Sequence, residues 1–158
     1  MLQGTLTVSN STEPILVNGH WTSSQGTSFF QAVNPATEEL LAGKFPVSPW
    51  EEIDTAIHAA AKVSRQMRGW PGSRFADFLE CYAKEIEARA ELLIEAAHAE
   101  TGLPVSPRLK DAELPRTTNQ LRQAAKAART DAWRNPVIDT TAGIRAMLGP
   151  IGPVVVFG

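Results

Sequence analysis

Apolar residues fall into three successive patterns along the chain. Between residues 14 and 47 they come in short runs broken by turn residues. Pro14-Ile15-Leu16-Val17 meets Asn18-Gly19 and leaves through His20-Trp21-Thr22, and Asn-Gly between apolar segments predicts a tight hairpin because both turn positions accept positive φ. Gln25-Gly26-Thr27 predicts a turn, Phe29 to Val33 a short strand, and Asn34-Pro35 a break before Glu39 to Phe45. These pieces make a β arm over 14–47, preceded by a Ser/Thr/Asn-rich leader over 1–13.

From Ser48 the period lengthens to three and four residues. Ser48-Pro49-Trp50-Glu51 has the form of a capping box with proline at the first helical position. Ile53, Ala56, Ile57, Ala60, Val63 and Met67 then form one stripe that stops at Gly69-Trp70-Pro71. A second helix, capped by Ser73, carries Phe75, Phe78, Leu79, Tyr82 and Ile86. A third runs from near Arg89 through Leu92, Leu93, Ala96 and Ala97 to Thr101 and stops at Gly102 and Pro104. The stretch from about Ser106 to Trp133 reads as a fourth helix that Pro115 kinks or restarts, since an interior proline lacks a donor. The helical layer is thus 48–134.

The third pattern is extended. Val137-Ile138-Asp139 and Ile144 to Leu148 predict two short strands within 135–149, separated by Thr140-Thr141-Ala142-Gly143. Residues 150–158 end in Val154-Val155-Val156-Phe157-Gly158, an apolar run without polar alternation, as in a strand covered on both faces. Such strands need parallel neighbours from later βαβ units. The expected architecture is therefore α/β, with this chain its mostly helical front portion and the crevice of a doubly wound sheet missing.

Composition narrows the chemistry. The 158 residues are 43% hydrophobic and 20% charged, the balance of a globular protein. Fifteen Lys and Arg against seventeen Asp and Glu give a net charge of −2 without a basic block, which disfavours nucleic acid as a partner. No apolar run approaches the roughly 20 residues that span a bilayer, and the start lacks a signal-peptide pattern, so a cytoplasmic protein without membrane contact is expected. Cys81, the single cysteine, lies in an amphipathic run without a nearby histidine or cation and reads as helix packing. His20, His58 and His98 lack metal-ligand spacing, so no metal site is expected.

The order of parts is recognisable. Val17-Asn18-Gly19-His20-Trp21, Asn34-Pro35-Ala36-Thr37-Glu38-Glu39-Leu40-Leu41-Ala42 and the capped helix ending at Trp70-Pro71 together resemble the amino-terminal region of the aldehyde dehydrogenase superfamily. Glu100-Thr101-Gly102-Leu103-Pro104, Arg108-Leu109, Glu113, Arg116-Thr117-Thr118, Gln120-Leu121-Arg122 and the segment Gly149 to Gly158 look like the branch that oxidises α-ketoglutaric semialdehyde (2,5-dioxovalerate). The resemblance covers about residues 14 to 158, the first third of a family member.

It implies NAD- or NADP-dependent oxidation of an aldehyde to an acid by an enzyme whose nucleophilic cysteine, general-base glutamate and oxyanion-hole asparagine lie beyond this sequence. Cys81 matches none of them, so no catalytic residue is expected here, and the piece alone should be inactive. Residues 150–158 become the first strand of the cofactor sheet, with Phe157 and Gly158 as cofactor-lining positions. Arg116 and Gln120, one turn apart on the helix bordering the family's substrate tunnel, become the substrate-binding candidates. A guanidinium takes a carboxylate bidentately, and this substrate ends in one. Arg122 is a weaker candidate of the same kind. The resemblance further implies a homodimer or homotetramer, with the β arm and residues 137 to 148 reaching toward partners. A non-catalytic helical interaction module derived from the same front end is the alternative.

Overall fold

A computed structural model describes residues 12–157. Residues 1–11, most of the expected leader, and Gly158 lie outside the described residues. The chain divides into two compact units, Met1–Ala60 and Ala61–Gly158.

In the first unit, β1 (Ile15–Val17) and β2 (His20–Thr22) form the expected antiparallel hairpin, with Leu16 opposite Trp21. Asn18 and Gly19 carry the turn at φ of 51° and 82°, the positive values that Asn-Gly tolerates. β3 (Phe29–Phe30) pairs antiparallel with β4 (Phe45–Pro46), and the ladder resumes at a Val33–Leu40 bridge. Between them, Asn34 Oδ1 accepts the Ala36 N–H at 2.9 Å, the local side-chain turn for which Asn-Pro is suited.

α1 (Trp50–Met67) starts at the expected place by a different device. Glu52, rather than Glu51, is the engaged carboxylate. It accepts the Ser24 hydroxyl at 2.7 Å and the Gln25 N–H at 2.5 Å, while Ser48 Oγ lies 3.4 Å from Ser24 Oγ. The carboxylate thereby ties the loop after β2 to the helix start instead of closing a capping box. Of the expected apolar stripe, Ile53, Ile57, Ala60 and Val63 are exposed and Ala56 and Met67 half-buried.

In the second unit, α2 (Gly72–Ala88) and α4 (Leu114–Arg129) are the main packed pair. The seam is built of small residues seven apart on each helix, Ala76 and Ala83 on α2 and Thr118 and Ala125 on α4, all buried. Side chains this small let the backbones approach closely. Gly72 extends the seam, because a Cβ there would collide with the Ala128 carbonyl oxygen.

Two expectations are corrected on α2, the Ser73 cap and the packing of Cys81. The cap of α2 is Pro71, so Ser73 lies within the helix and makes no capping bond. Phe78 and Cys81 stand two residues from Ala76 and Ala83, about 200° round the helix, and so point away from α4. Phe78 is 66% exposed and stacks on Tyr82 with ring centroids 6.1 Å apart, while Cys81 is exposed rather than packed. On α3 (Ala90–Thr101) the buried residue is Ile94, and Leu92, again two positions away, faces out.

Gly102 ends α3 in the left-handed conformation, as expected. The expected fourth helix is divided: Val105–Glu113 is a π-type turn kinked at Ser106, whose backbone is extended at φ −122° and ψ 141°, and α4 begins at Leu114 with Pro115 in its first turn. Pro107 and Pro115 each withdraw a donor from the ordinary ladder. The longer i to i+5 bonds, Leu109 N–H to Pro104 O and Leu114 N–H to Leu109 O, carry the chain instead. Pro115 therefore restarts the helix.

After a short 3₁₀ turn at Ala132–Arg134, the two expected short strands, β5 (Val137–Asp139) and β6 (Ile144–Ala146), pair antiparallel and are exposed at every residue. The expected strand over 150–158 is not in a sheet. Residues 150–157 pair with no described strand, because a strand exists only through a hydrogen-bonded neighbour, and Phe157 is 92% exposed.

Candidate functional site

The site region is where α2, α3, the π-type turn and α4 meet. An apolar cavity of about 280 Å³ opens there, walled by Tyr82 and Ile86 from α2, Leu93 and Ile94 from α3, and Leu109 from the turn. α4 contributes Leu114 and Thr117, and Glu113 supplies the single charged wall residue.

Glu113 is 23% exposed and holds two guanidiniums. Oε1 receives Arg108 Nη2 at 2.6 Å, and Oε2 receives Arg116 through Nε at 3.1 Å and through Nη2. The hydrogen bond from Arg116 outweighs the opposing effect of burial and, with a lesser contribution from the charge of Arg108, holds the Glu113 carboxyl below its ordinary range. The group is an anion flanked by two cations, with one net positive charge.

Arg116 itself is 63% exposed and does not line the cavity; it reaches that wall only through Glu113. Gln120 is exposed one turn further along α4. The structure thus places the two on one helix, as expected, and brings Arg116 together with Glu113 rather than with Gln120. Arg122 is committed elsewhere: it grips Glu87 of α2 bidentately at 2.7 and 2.8 Å. Arg129 likewise reaches Asp77 and Glu80, each at 2.9 Å. Both are clamps across the α2–α4 seam.

Sequence reasoning missed the bridging role of Glu113. Its i, i+3 relation to Arg116 is an ordinary helix spacing, but Arg108 stands five residues before it, a spacing that an α-helix does not juxtapose. The π-type turn, with its i to i+5 bonds, brings them within reach.

No dinucleotide crevice exists among the described residues. The segment meant to supply it is unpaired, Phe157 is open to solvent, and Gly158 lies outside the described residues. The residues present do not by themselves fit a nicotinamide cofactor. Among the described residues no group of three His, Cys, Asp or Glu side chains could hold a metal ion, and no helix is long and apolar enough to cross a membrane.

The same order of elements occurs in known proteins. The model of the aldehyde dehydrogenase family matches residues 21–158. Among characterised relatives, α-ketoglutaric semialdehyde dehydrogenase 2 of Azospirillum brasilense is 37% identical over 145 residues, covering 85% of this chain and 27% of that protein. Among solved structures, lactaldehyde dehydrogenase from Escherichia coli superposes with a TM-score of 0.73 at 23% identity, over 82% of this chain and 26% of that one. An aldehyde dehydrogenase from Bartonella henselae gives a TM-score of 0.72 at 20% identity, with 82% and 27% covered. The chain spans about a quarter of the length of these relatives. Its β arm, its helical layer and its terminal hairpin are the amino-terminal part of that α/β fold, and the chain belongs to the aldehyde dehydrogenase family.

Proposed function

We propose that this chain is the amino-terminal portion of a cytoplasmic enzyme that oxidises α-ketoglutaric semialdehyde to 2-oxoglutarate with NAD or NADP. One observation carries the reading: the likeness to the Azospirillum α-ketoglutaric semialdehyde dehydrogenase runs over 145 residues at 37% identity and includes the Arg116 segment. The portion itself is non-catalytic. Cys81, its single thiol, is exposed on α2 and outside the cavity wall. Phe157 and Gly158 line the cofactor in the assembled sheet, and the exposed β5–β6 hairpin offers strand edges for a homodimer or homotetramer.

Arg116 takes the distal carboxylate of the substrate, and Gln120 adds a neutral hydrogen bond one turn away. Arg116→Ala in the full-length enzyme should cost about ten- to a hundredfold in kcat/KM for the semialdehyde acid, the worth of a charge-assisted hydrogen bond. An uncharged five-carbon aldehyde should lose little. Equal loss on both substrates, or none on either, removes the assignment.

A further inference from the structure

Arg116 is a long, exposed side chain, and an unrestrained guanidinium spends most of its rotamer freedom away from any one geometry. Here its Nε and Nη2 both donate to Glu113 Oε2, which uses the side edge of the guanidinium. Nη1 makes no hydrogen bond among the described residues, so the end-on edge stays available for a second carboxylate. Glu113 is in turn held from its other oxygen by Arg108 across the π-type turn.

We infer that Glu113, anchored by Arg108, is a positioning residue that fixes Arg116 for a carboxylate-bearing substrate. The inference rests on the proposed role of Arg116. Chemistry and charge agree: two guanidiniums and one carboxylate leave a single positive charge, which one substrate carboxylate neutralises. Without Glu113, both cations remain, but Arg116 loses the partner that orients it. Glu113 therefore acts through Arg116, and its effect should disappear where Arg116 is absent.

The experiment is a double-mutant cycle in the full-length enzyme, comparing α-ketoglutaric semialdehyde with an uncharged five-carbon aldehyde. Glu113→Gln keeps the shape of the side chain and should raise KM for the acid about tenfold, as expected for a displaced binding group, with kcat and the neutral aldehyde little changed. In the Arg116→Ala background the same change should add nothing. Arg108→Gln, which leaves the cavity wall intact, should reproduce part of the effect if Glu113→Gln impairs folding. A Glu113→Gln effect that is equal on both aldehydes, or that persists in full without Arg116, overturns the positioning role. Discrimination lost in Arg116→Ala but kept in Glu113→Gln and Arg108→Gln overturns it while sparing the reading of Arg116; discrimination kept in Arg116→Ala sinks that reading and the inference with it.

Discussion

Glu113 and Gly72 show how much a single position can depend on its neighbours. Glu113 holds two arginines because each of its oxygens faces a different one, and the same contacts keep it ionised below the ordinary carboxylate range. Gly72 is set by space, since a Cβ there would collide with the Ala128 carbonyl oxygen across the α2–α4 seam. Gly72→Ala must push one helix start from the other helix end, and should destabilise the chain by about 1–3 kcal/mol, the usual cost of overpacking. Urea unfolding followed by circular dichroism measures it, and an unchanged midpoint would show that the close approach is not required. Neither position was legible in the sequence as such. A glycine before a helix reads as an end signal, whereas here it is a contact, and the Arg108 spacing has meaning only once the π-type turn exists.

At the scale of elements, the helices were legible in number and nearly in extent, because Gly69-Trp70-Pro71 and Gly102-Leu103-Pro104 interrupt any ladder. Their inward faces were less so. On α2, Phe78 and Tyr82 carry more apolar area than Ala76 and Ala83, yet the alanines are buried because α4 packs close, and the aromatics stand off the seam. Ala83→Leu should therefore destabilise by about 1–3 kcal/mol in a urea melt of this chain, whereas Phe78→Ser should shift the midpoint little. The reverse order would restore the aromatic face as the core.

The clamps across the same seam make a pH prediction. Glu87 is held below its ordinary value of 4.5 chiefly by the Arg122 hydrogen bond, which outweighs the opposing effect of burial, with a lesser contribution from Thr118. Its folded pKa is depressed, so its stabilising contribution is fully present above the ordinary glutamate range and is lost as pH falls through the folded value. Thermal melts from pH 7 to pH 3 should show a falling Tm at the acid end, and Glu87→Gln should flatten that limb while leaving its slope near neutrality unchanged. An identical acid limb in the variant would remove Glu87 as a contributor. Glu80, which also faces Arg122 at longer range, remains in both proteins.

The whole molecule leaves more apolar surface open than a self-sufficient domain does. Ile53 and Ile57 on α1, Phe78 on α2, the β5–β6 hairpin, Ile151 and Val154 to Phe157 are all exposed. A run such as Val154-Val155-Val156-Phe157, with free backbone groups, can template pairing with another copy. Removing residues 150 to 158 should shift the purified chain from aggregate toward monomer in light scattering; equal monodispersity of both forms would contradict the exposed-strand account. The α/β class was legible in that same run, since its composition calls for neighbours on both sides, but the crevice they would build was not, because no described element supplies them.

The central claim is that this front portion serves oxidation of a carboxylate-bearing aldehyde. It is tested most directly by the appearance of NAD(P)H absorbance when the full-length enzyme meets α-ketoglutaric semialdehyde. The account predicts cofactor reduction with a kcat/KM at least about tenfold above that for an uncharged five-carbon aldehyde, the advantage expected of one charge-assisted contact. A folded full-length protein that reduces no cofactor with the semialdehyde, or that prefers the uncharged aldehyde, would contradict it.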